Sequence, residues 1–294
     1  MQRFFMITLF LCSSGGASLI AAELTVTRRP LGGAAACPYG YLEYLPHGYD
    51  SSQKPAALIV CFHGNGDEGD GVGDLKKLEN NGVGKHLREG NAHAAIILCP
   101  QAPRWFDVTI VHTFIEYATT HYHVDPQRIY LVGHSAGGSQ VWNFAHAYPN
   151  IPAAIVPICG ASNPAQANNP KEPSRLAGIP VWAFHNFDDP VVGKGNTIRW
   201  LNGISAAMLP GVGDIMTGYP EASPGKSAAA DCTATRARVD WNWMAATKPG
   251  EKDADYLFTL YREGGHNAWT KTYANPAMWE WLLAQKHGPA ARKP

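Results

Sequence analysis

Six short apolar runs constrain the fold of this chain more than any other feature of its sequence. Hydrophobicity is continuous along each run rather than alternating, which is typical of parallel strands buried on both faces of a sheet. The predicted strands are residues 57–62, 94–99, 128–132, 153–159, 179–184 and 256–261. Such strands need helices over both faces, so the runs predict an α/β fold with a mostly parallel central sheet.

Helical patterns occur where this architecture needs them. Between the second and third runs, apolar residues recur with a helical period at Val111, Phe114, Ile115, Ala118 and Tyr122. A second helix is predicted over residues 138–148, ending before Pro149. A third is predicted over residues 276–286, with a proline in its first turn and Gly288 after its end.

The N-terminus has the pattern of an export signal. Arg3 supplies a positive start, residues 4–11 form an apolar run, and small residues stand at 21 and 22. The pattern predicts a signal peptide over residues 1–22, a mature domain over residues 23–290, and a secreted or periplasmic location. No other segment is apolar for long enough to predict a membrane span in the mature chain.

The charge balance argues against a nucleic-acid partner. The 294 residues include 24 Lys and Arg against 24 Asp and Glu, so the formal net charge is zero. A nucleic-acid binder needs an excess of cations to neutralise phosphates. Hydrophobic residues make up 45% of the chain, which is enough to bury a sizeable core.

Six cysteines become five once Cys12 leaves with the signal, so they cannot all form disulfides. Three of the five end apolar runs and are expected to be buried thiols. Cys37 and Cys232 lie in loop-like sequence. They are the expected disulfide pair if the compartment is oxidising.

One long stretch, residues 193–236, breaks the alternation of strands and helices. It is rich in Gly, Pro, Ser and Ala, shows no clean period, and is too long for an ordinary connection. We interpret it as an insertion after the fifth run, either a small lid or a disordered surface loop.

A nucleophile motif lies at the end of the third run. The strand leads into GHSAG at residues 133–137, and a helical pattern follows. This is G-x-S-x-G in the strand, turn, helix context that it requires. A turn of this kind projects Ser135 from the sheet, and the helix N-terminus behind it offers free N–H groups to an oxyanion. Ser135 is the predicted nucleophile, and the alternative is an ordinary turn residue.

A serine nucleophile needs a base and an orienting acid, both just past strand C-termini at the same edge of the sheet. The expected order along the chain is serine, acid, histidine. His266 is the only histidine in that order that directly follows a predicted strand, so it is the predicted base. Asp188 and Asp189 both follow the fifth run, and these residues alone leave open which is the acid.

The surroundings of Ser135 yield four further predictions. Backbone N–H groups of Ala136, beside the nucleophile, and of Asn65, in the small-residue loop after the first run, are the predicted oxyanion donors. His134 and Trp269 border the predicted site and are predicted to contact the substrate.

Two other patterns carry weaker signals. Residues 64–69 (GNGDEG) match the dinucleotide fingerprint, but no apolar helix follows, and the acidic residues around them would repel a pyrophosphate. We predict a solvated acidic loop there. His121 and His123 could bind a metal, but they precede a strand and would lie at the opposite edge of the sheet. The sequence predicts no metal and no cofactor.

Several motifs together resemble α/β-hydrolases of the predicted-peptidase, polyhydroxybutyrate-depolymerase-like, feruloyl and acetylxylan esterase groups. Besides the GHSAG motif, they are GYLEYLP (40–46), FHG (62–64), VDPQRIYL (124–131), VPICG (156–160), PVWAFH (180–185) and GGHNAW (264–269). The resemblance covers about residues 38–286 and implies the α/β-hydrolase fold. In those relatives the acid stands directly before Pro-Val-Val, which here implies Asp189.

The sequence therefore predicts an exported serine hydrolase. The expected reaction is cleavage of a carboxylic ester, on a small molecule or a polymer, through a Ser-His-Asp triad and an acyl-enzyme. The alternatives are a serine peptidase of the same fold and a non-catalytic binding protein that has kept the fold. A third alternative, a dinucleotide-dependent oxidoreductase, is supported by the glycine pattern alone.

Overall fold

The structure, a computed structural model, describes residues 25–34, 36–52, 54–165, 171–209, 211–237, 240–245 and 255–287. The predicted signal peptide, residues 1–22, lies outside the described residues. Within the ranges described, no helix is both long and apolar enough to cross a bilayer.

One sheet organises the described part of the chain. Its strands are β1 (Val26–Arg29), β2 (Gly40–Tyr44), β3 (Ala56–Phe62), β4 (Ile96–Gln101), β5 (Val124–His134), β6 (Ala154–Ile158), β7 (Val181–Asn186), β8 (Cys232–Ala237), β9 (Asp240–Ala245) and β10 (Tyr256–Tyr261). Their order across the sheet is β1-β2-β4-β3-β5-β6-β7-β10-β8-β9. The six strands from β4 to β10 in that order are parallel, and antiparallel strands extend both ends.

The six parallel strands are the six that the apolar runs predict, so the predicted fold class is confirmed. The four outer strands are not predicted by the sequence. β1 is only four residues long, and β8 and β9 mix apolar with polar residues. Antiparallel strands at a sheet edge do not need the continuous hydrophobicity that marks a strand buried on both faces.

Helices cover both faces of the sheet. They are α1 (Gly82–Arg88), α2 (Val108–His121), α3 (Ala136–Ala147), α4 (Gly195–Met208), α5 (Trp269–Tyr273) and α6 (Pro276–Ala284). α2 begins at Asp107, whose carboxylate accepts hydrogen bonds from the N–H groups of Thr109 and Ile110. Asn275 caps α6 in the same way, and Pro276 occupies its first turn.

The core is divided by the sheet into two apolar layers. Alternate residues of one strand belong to different layers, because successive side chains in a strand point to opposite faces. In β3, Val60 packs in the layer that contains α2, α3 and α4. Its neighbour Ile59 packs in the layer that contains α1 and α6. The predicted cover of helices on both faces is therefore confirmed.

The segment 193–236 begins with a helix that its sequence did not predict. α4 packs against α3 through Trp200, whose ring stacks on that of Trp142 with centroids 5.1 Å apart. Leu201 and Ile204 are also completely buried. The small residues on the other faces of α4 dilute the apolar period, so composition conceals the helix. The interpretation of the segment as an inserted lid stays a prediction.

The expected Cys37–Cys232 disulfide is wrong for this structure, in which both thiols are free and buried. Cys37 lies just before β2 and Cys232 begins β8, and six strands of the sheet separate β2 from β8. Neighbouring strands lie about 4.8 Å apart, so the two thiols are far beyond the reach of a disulfide.

Candidate active site

Ser135 lies in the turn between β5 and α3 with a strained backbone. Its φ of 54° and ψ of −117° fall in a region that residues with a side chain rarely adopt. The Ser135 N–H donates to the carbonyl of Ile158 at 2.9 Å, which ties the turn to β6. A Cβ atom on Gly137 would lie 2.1 Å from the carbonyl oxygen of Phe62, so glycine is required for α3 to approach β3.

Two neighbouring parallel strands bring the predicted base and acid to the same edge. β7 precedes Asp189, β10 precedes His266, and the two strands pair in parallel. The Nε2 atom of His266 lies 2.8 Å from Oγ of Ser135. Its Nδ1 atom lies 2.8 Å from Oδ2 of Asp189. The structure thus joins the three side chains in one chain of hydrogen bonds, although 131 positions separate Ser135 from His266.

The Asp189 carboxylate is held in its ionised form. Burial alone would raise its pKa, but hydrogen bonds from His185, the N–H groups of Val191 and Val192, and His266 outweigh burial and lower the pKa to about 2. Both backbone N–H groups lie 2.9 Å from Oδ1. The Asp189 side chain has 0% of its surface exposed, so water does not compete for these bonds. A buried anion beside Nδ1 favours a proton on that nitrogen and leaves Nε2 free to accept one.

Asp188 contacts the backbone of the loop that carries His266. Its Oδ1 atom accepts hydrogen bonds from the N–H groups of Gly264 and Gly265, each at 3.0 Å. The buried amide of Asn186 donates to the Gly265 carbonyl at 2.8 Å. Both glycines have positive φ values, 150° and 59°, so the turn needs residues without a side chain.

The predicted oxyanion donors line one pocket. Asn65 follows β3, Ala136 is the first residue of α3, and both line a pocket of about 190 Å³. As the first residue of the helix, Ala136 has no carbonyl one turn back to which its N–H could donate. The positive end of the α3 dipole lies at the same place.

Comparisons with known proteins identify the fold but not a close relative. No protein-family model and no curated protein match the chain. A thermostable esterase superposes with a TM-score of 0.56 at 20% identity, over 90% of this chain and 63% of its own length. The acetyl xylan esterase from Aspergillus awamori gives 0.55 at 12% identity, over 87% of this chain and 99% of that one.

The feruloyl esterase module from Clostridium thermocellum, solved in complex with sinapinate, gives a TM-score of 0.53 at 13% identity, over 92% of this chain and 91% of that one. The chain has the α/β-hydrolase fold. At these identities the similarity shows the fold alone, and this chain spans less than two thirds of the thermostable esterase.

Within the α/β-hydrolase fold of this chain, His134 is buried, with only 3% of its surface exposed. It is the last residue of β5, and α5 covers it. Its ring stacks on Trp269 with centroids 4.7 Å apart. Burial lowers its pKa to about 3, so the 3.9 Å approach of its Nε2 to Asp67 is not an ion pair at neutral pH. The structure packs His134 against Trp269 and Tyr273, and its predicted contact with the substrate stays a prediction.

Trp269 lies between His134 and the predicted base. Its ring meets that of His266 edge to face, with centroids 5.5 Å apart. Its indole N–H donates to Oδ1 of Asn81 at 2.8 Å, so the ring orientation is fixed. Trp269 is half-buried beside His266, and its predicted contact with the substrate stays a prediction.

The sequence predicts a solvated acidic loop after β3, and the structure exposes Asp70 of this loop but buries Asp67. Asp70 is exposed, and its carboxylate accepts N–H bonds from residues 72–74. Asp67 is instead buried, and burial raises its pKa to about 6 against the opposing hydrogen bond from Asn81. The loop is followed by a short 3-10 helix, Leu75–Asn80, rather than by the helix of a dinucleotide site.

The described residues contain one cluster that could hold a metal ion: Cys159, Asp189 and His266, with ligand atoms within 4.8 Å of one another. Two of them belong to the hydrogen-bonded chain of Ser135. The third, Cys159, donates to the carbonyl of His266 at 3.5 Å, and burial raises its thiol pKa to about 12. His266 and Asp189 are already hydrogen-bonded to each other, and the Cys159 thiol is hydrogen-bonded to the His266 carbonyl. As predicted, His121 and His123 precede β5, with His121 at the end of α2, so they lie at the opposite edge of the sheet from Ser135.

Arg104, Trp105 and Gln140 line the same pocket as Asn65 and Ala136, although the sequence did not assign them to the site. Trp105 is 68% exposed. Their position could have identified them. Arg104 and Trp105 lie in the loop between β4 and α2, and Gln140 lies one helical turn after Ala136.

Proposed function

We propose that this chain is a serine hydrolase that cleaves carboxylic esters, with Ser135 as nucleophile, His266 as base and Asp189 as acid. The observation that carries the proposal is the uninterrupted chain of hydrogen bonds from Ser135 Oγ through His266 to Asp189, each link 2.8 Å long. A strained serine at a strand-to-helix turn, with a buried anion behind the histidine, is suited to nucleophilic attack on a carbonyl.

In the proposed mechanism, His266 Nε2 takes the proton of the Ser135 hydroxyl as Oγ attacks the ester carbonyl carbon. The carbonyl oxygen becomes an oxyanion between the N–H groups of Ala136 and Asn65. The carbon–oxygen bond to the alcohol then breaks, and His266 gives its proton to the leaving oxygen. Water attacks the acyl-enzyme with the same assistance, which releases the acid and restores Ser135. Asp189 holds the imidazole in the required tautomer throughout.

Covalent labelling and turnover test this proposal together. We expect a fluorophosphonate probe to label the wild-type protein and p-nitrophenyl acetate to be hydrolysed. Ser135→Ala should abolish both without changing the circular dichroism spectrum. Ser223→Ala, an exposed serine, is the matched control and should keep both activities. A Ser135→Ala protein that still hydrolyses the ester at the wild-type rate would exclude Ser135 as nucleophile.

The esterase names of the structural neighbours favour an ester over an amide as substrate. We therefore expect aryl esters to be cleaved and casein to remain intact. The reverse result would favour the peptidase alternative.

We also propose that the protein is exported, on the basis of the N-terminal pattern at residues 1–22. Expression of the full chain in a bacterium with a periplasm should give a mature protein that begins near residue 23 in the periplasmic or medium fraction. N-terminal sequencing measures this directly. A chain that keeps residues 1–22 and stays with the cytoplasmic fraction would contradict export.

A further inference from the structure

The pocket of about 190 Å³ is lined by the first turn of α3, which directly follows Ser135 in the chain. The two predicted oxyanion donors, Asn65 and Ala136, line it, and neither His266 nor Trp269 does. The leaving oxygen of an ester must face His266, because that imidazole supplies its proton. A carbonyl held by the two N–H groups therefore directs its acyl side into this pocket. At about 190 Å³ the pocket suits a short acyl group.

The lining of this pocket is electropositive. It contains one cation, Arg104, and no carboxylate. Arg104 is exposed, and the described residues give it no ion-pair partner. The nearest carboxylate along the chain, Asp107, caps α2 by accepting hydrogen bonds from the N–H groups of Thr109 and Ile110. The guanidinium is therefore available to a bound anion.

A second and independent observation points to a ligand in the same place. Gln140 lines the pocket and is 4% exposed, yet its Nε2 atom is buried without a hydrogen-bond partner among the described residues. A buried amide donor without an acceptor costs about 1–3 kcal/mol, so such groups are rare unless a ligand or water satisfies them. An acyl group with acceptor oxygens at its far end would supply the missing partner.

We infer that this pocket selects an acyl group that carries its own carboxylate, so that the preferred substrates are monoesters of short dicarboxylic acids. Arg104 pairs with the free carboxylate, and Gln140 donates to one of its oxygens. This inference rests on the proposed ester hydrolysis and adds the class of acid to it. Since Arg104 is exposed, its replacement removes the charge without disturbing the core.

The test compares two p-nitrophenyl esters of the same shape. One is the monoester of fumaric acid, whose trans double bond keeps the free carboxylate from attacking its own ester. The other is the ester of trans-4-methylpent-2-enoic acid, in which an uncharged isopropyl group replaces the carboxylate. We expect the wild-type protein to have the higher kcat/KM for the anionic ester. Arg104→Gln should lower the anionic-to-neutral ratio of kcat/KM by about 10-fold or more.

Arg88→Gln is the matched control, because it removes an exposed arginine outside the pocket and changes the net charge equally. It should leave the ratio unchanged. A ratio that is unchanged by Arg104→Gln, or that falls equally in Arg88→Gln, would overturn the carboxylate subsite while the neutral ester still reports hydrolysis. If neither ester is hydrolysed and the fluorophosphonate does not label Ser135, the proposed function fails and the subsite fails with it.

Discussion

The carboxylate of Asp188 lies 3.0 Å from the backbone nitrogen of Gly265, so it holds the loop of the predicted base rather than the base itself. Its neighbour Asp189 contacts the imidazole of His266 at 2.8 Å. Consecutive residues after a strand point in different directions, and here the two carboxylates are used for different purposes.

This difference predicts unequal effects of mutating the two aspartates. Asp189→Asn should lower kcat by about 10⁴-fold, because the amide no longer favours the imidazole tautomer in which Nε2 accepts a proton. Asp188→Asn keeps an acceptor oxygen for Gly264 and Gly265 and should cost less than about threefold. Asp188→Ala loses both hydrogen bonds and should lower kcat further, with KM little changed. Steady-state kinetics on p-nitrophenyl acetate measure these losses. Equal losses of kcat in the two Asn variants would refute the assignment of Asp189 as the acid.

The oxyanion assignment concerns a backbone group, so the side chain of Asn65 should matter little. Asn65→Ala keeps the N–H and should change kcat by less than about threefold. Asn65→Pro removes the N–H and should lower kcat by about 10²- to 10³-fold. Circular dichroism of both variants checks that the loop change has not unfolded the protein. A large loss in Asn65→Ala would show that the side chain, not the backbone, is the important group.

The close approach of α3 to β3 predicts that Gly137 does not tolerate a side chain. Gly137→Ala would place a methyl group 2.1 Å from the Phe62 carbonyl oxygen, so α3 must move. We expect a loss of about 3 kcal/mol or more in the free energy of unfolding, measured by chemical denaturation. Gly193→Ala is the control, since its new Cβ meets no atom within 4 Å. Similar stability of the two variants would contradict the packing described for the turn.

The buried carboxyl of Asp67 predicts a pH-dependent stability. Its folded-state pKa is raised to about 6, above the ordinary value of about 4 in the unfolded chain. The folded protein therefore holds this proton more tightly, and its free energy of unfolding falls as pH rises from about 4 to about 6. Asp67→Asn removes the carboxyl group and with it this loss of stability at high pH. The difference in free energy of unfolding between the variant and wild type should therefore be about 1 to 2 kcal/mol more favourable to the variant at pH 8 than at pH 4.

Chemical denaturation of both proteins at the two pH values measures the difference. An effect of Asp67→Asn that is the same at pH 4 and pH 8 would mean that Asp67 has an ordinary pKa.

Much of the fold was predictable because its signals are local. The six parallel strands have continuous hydrophobicity, and the helices α2, α3 and α6 have an apolar period, a proline or a following glycine. The outer strands lack these signals: β1 is only four residues long, and β8 and β9 mix apolar with polar residues. α4 was concealed by its small residues, although Trp200 anchors it in the core.

For the candidate site, the sequence by itself determined Ser135 and His266 and their order, since each follows a strand in a recognisable motif. It left Asp188 and Asp189 open until the family resemblance implied Asp189, and the catalytic roles of all three stay proposals. Only the tertiary structure decided which groups meet in space. It buried His134 and Asp67, exposed Trp105, separated Cys37 from Cys232, and placed Arg104 and Gln140 around one pocket. The physical reason is that burial and pairing depend on contacts between distant segments, whereas hydrophobic period and turn chemistry are written in neighbouring residues.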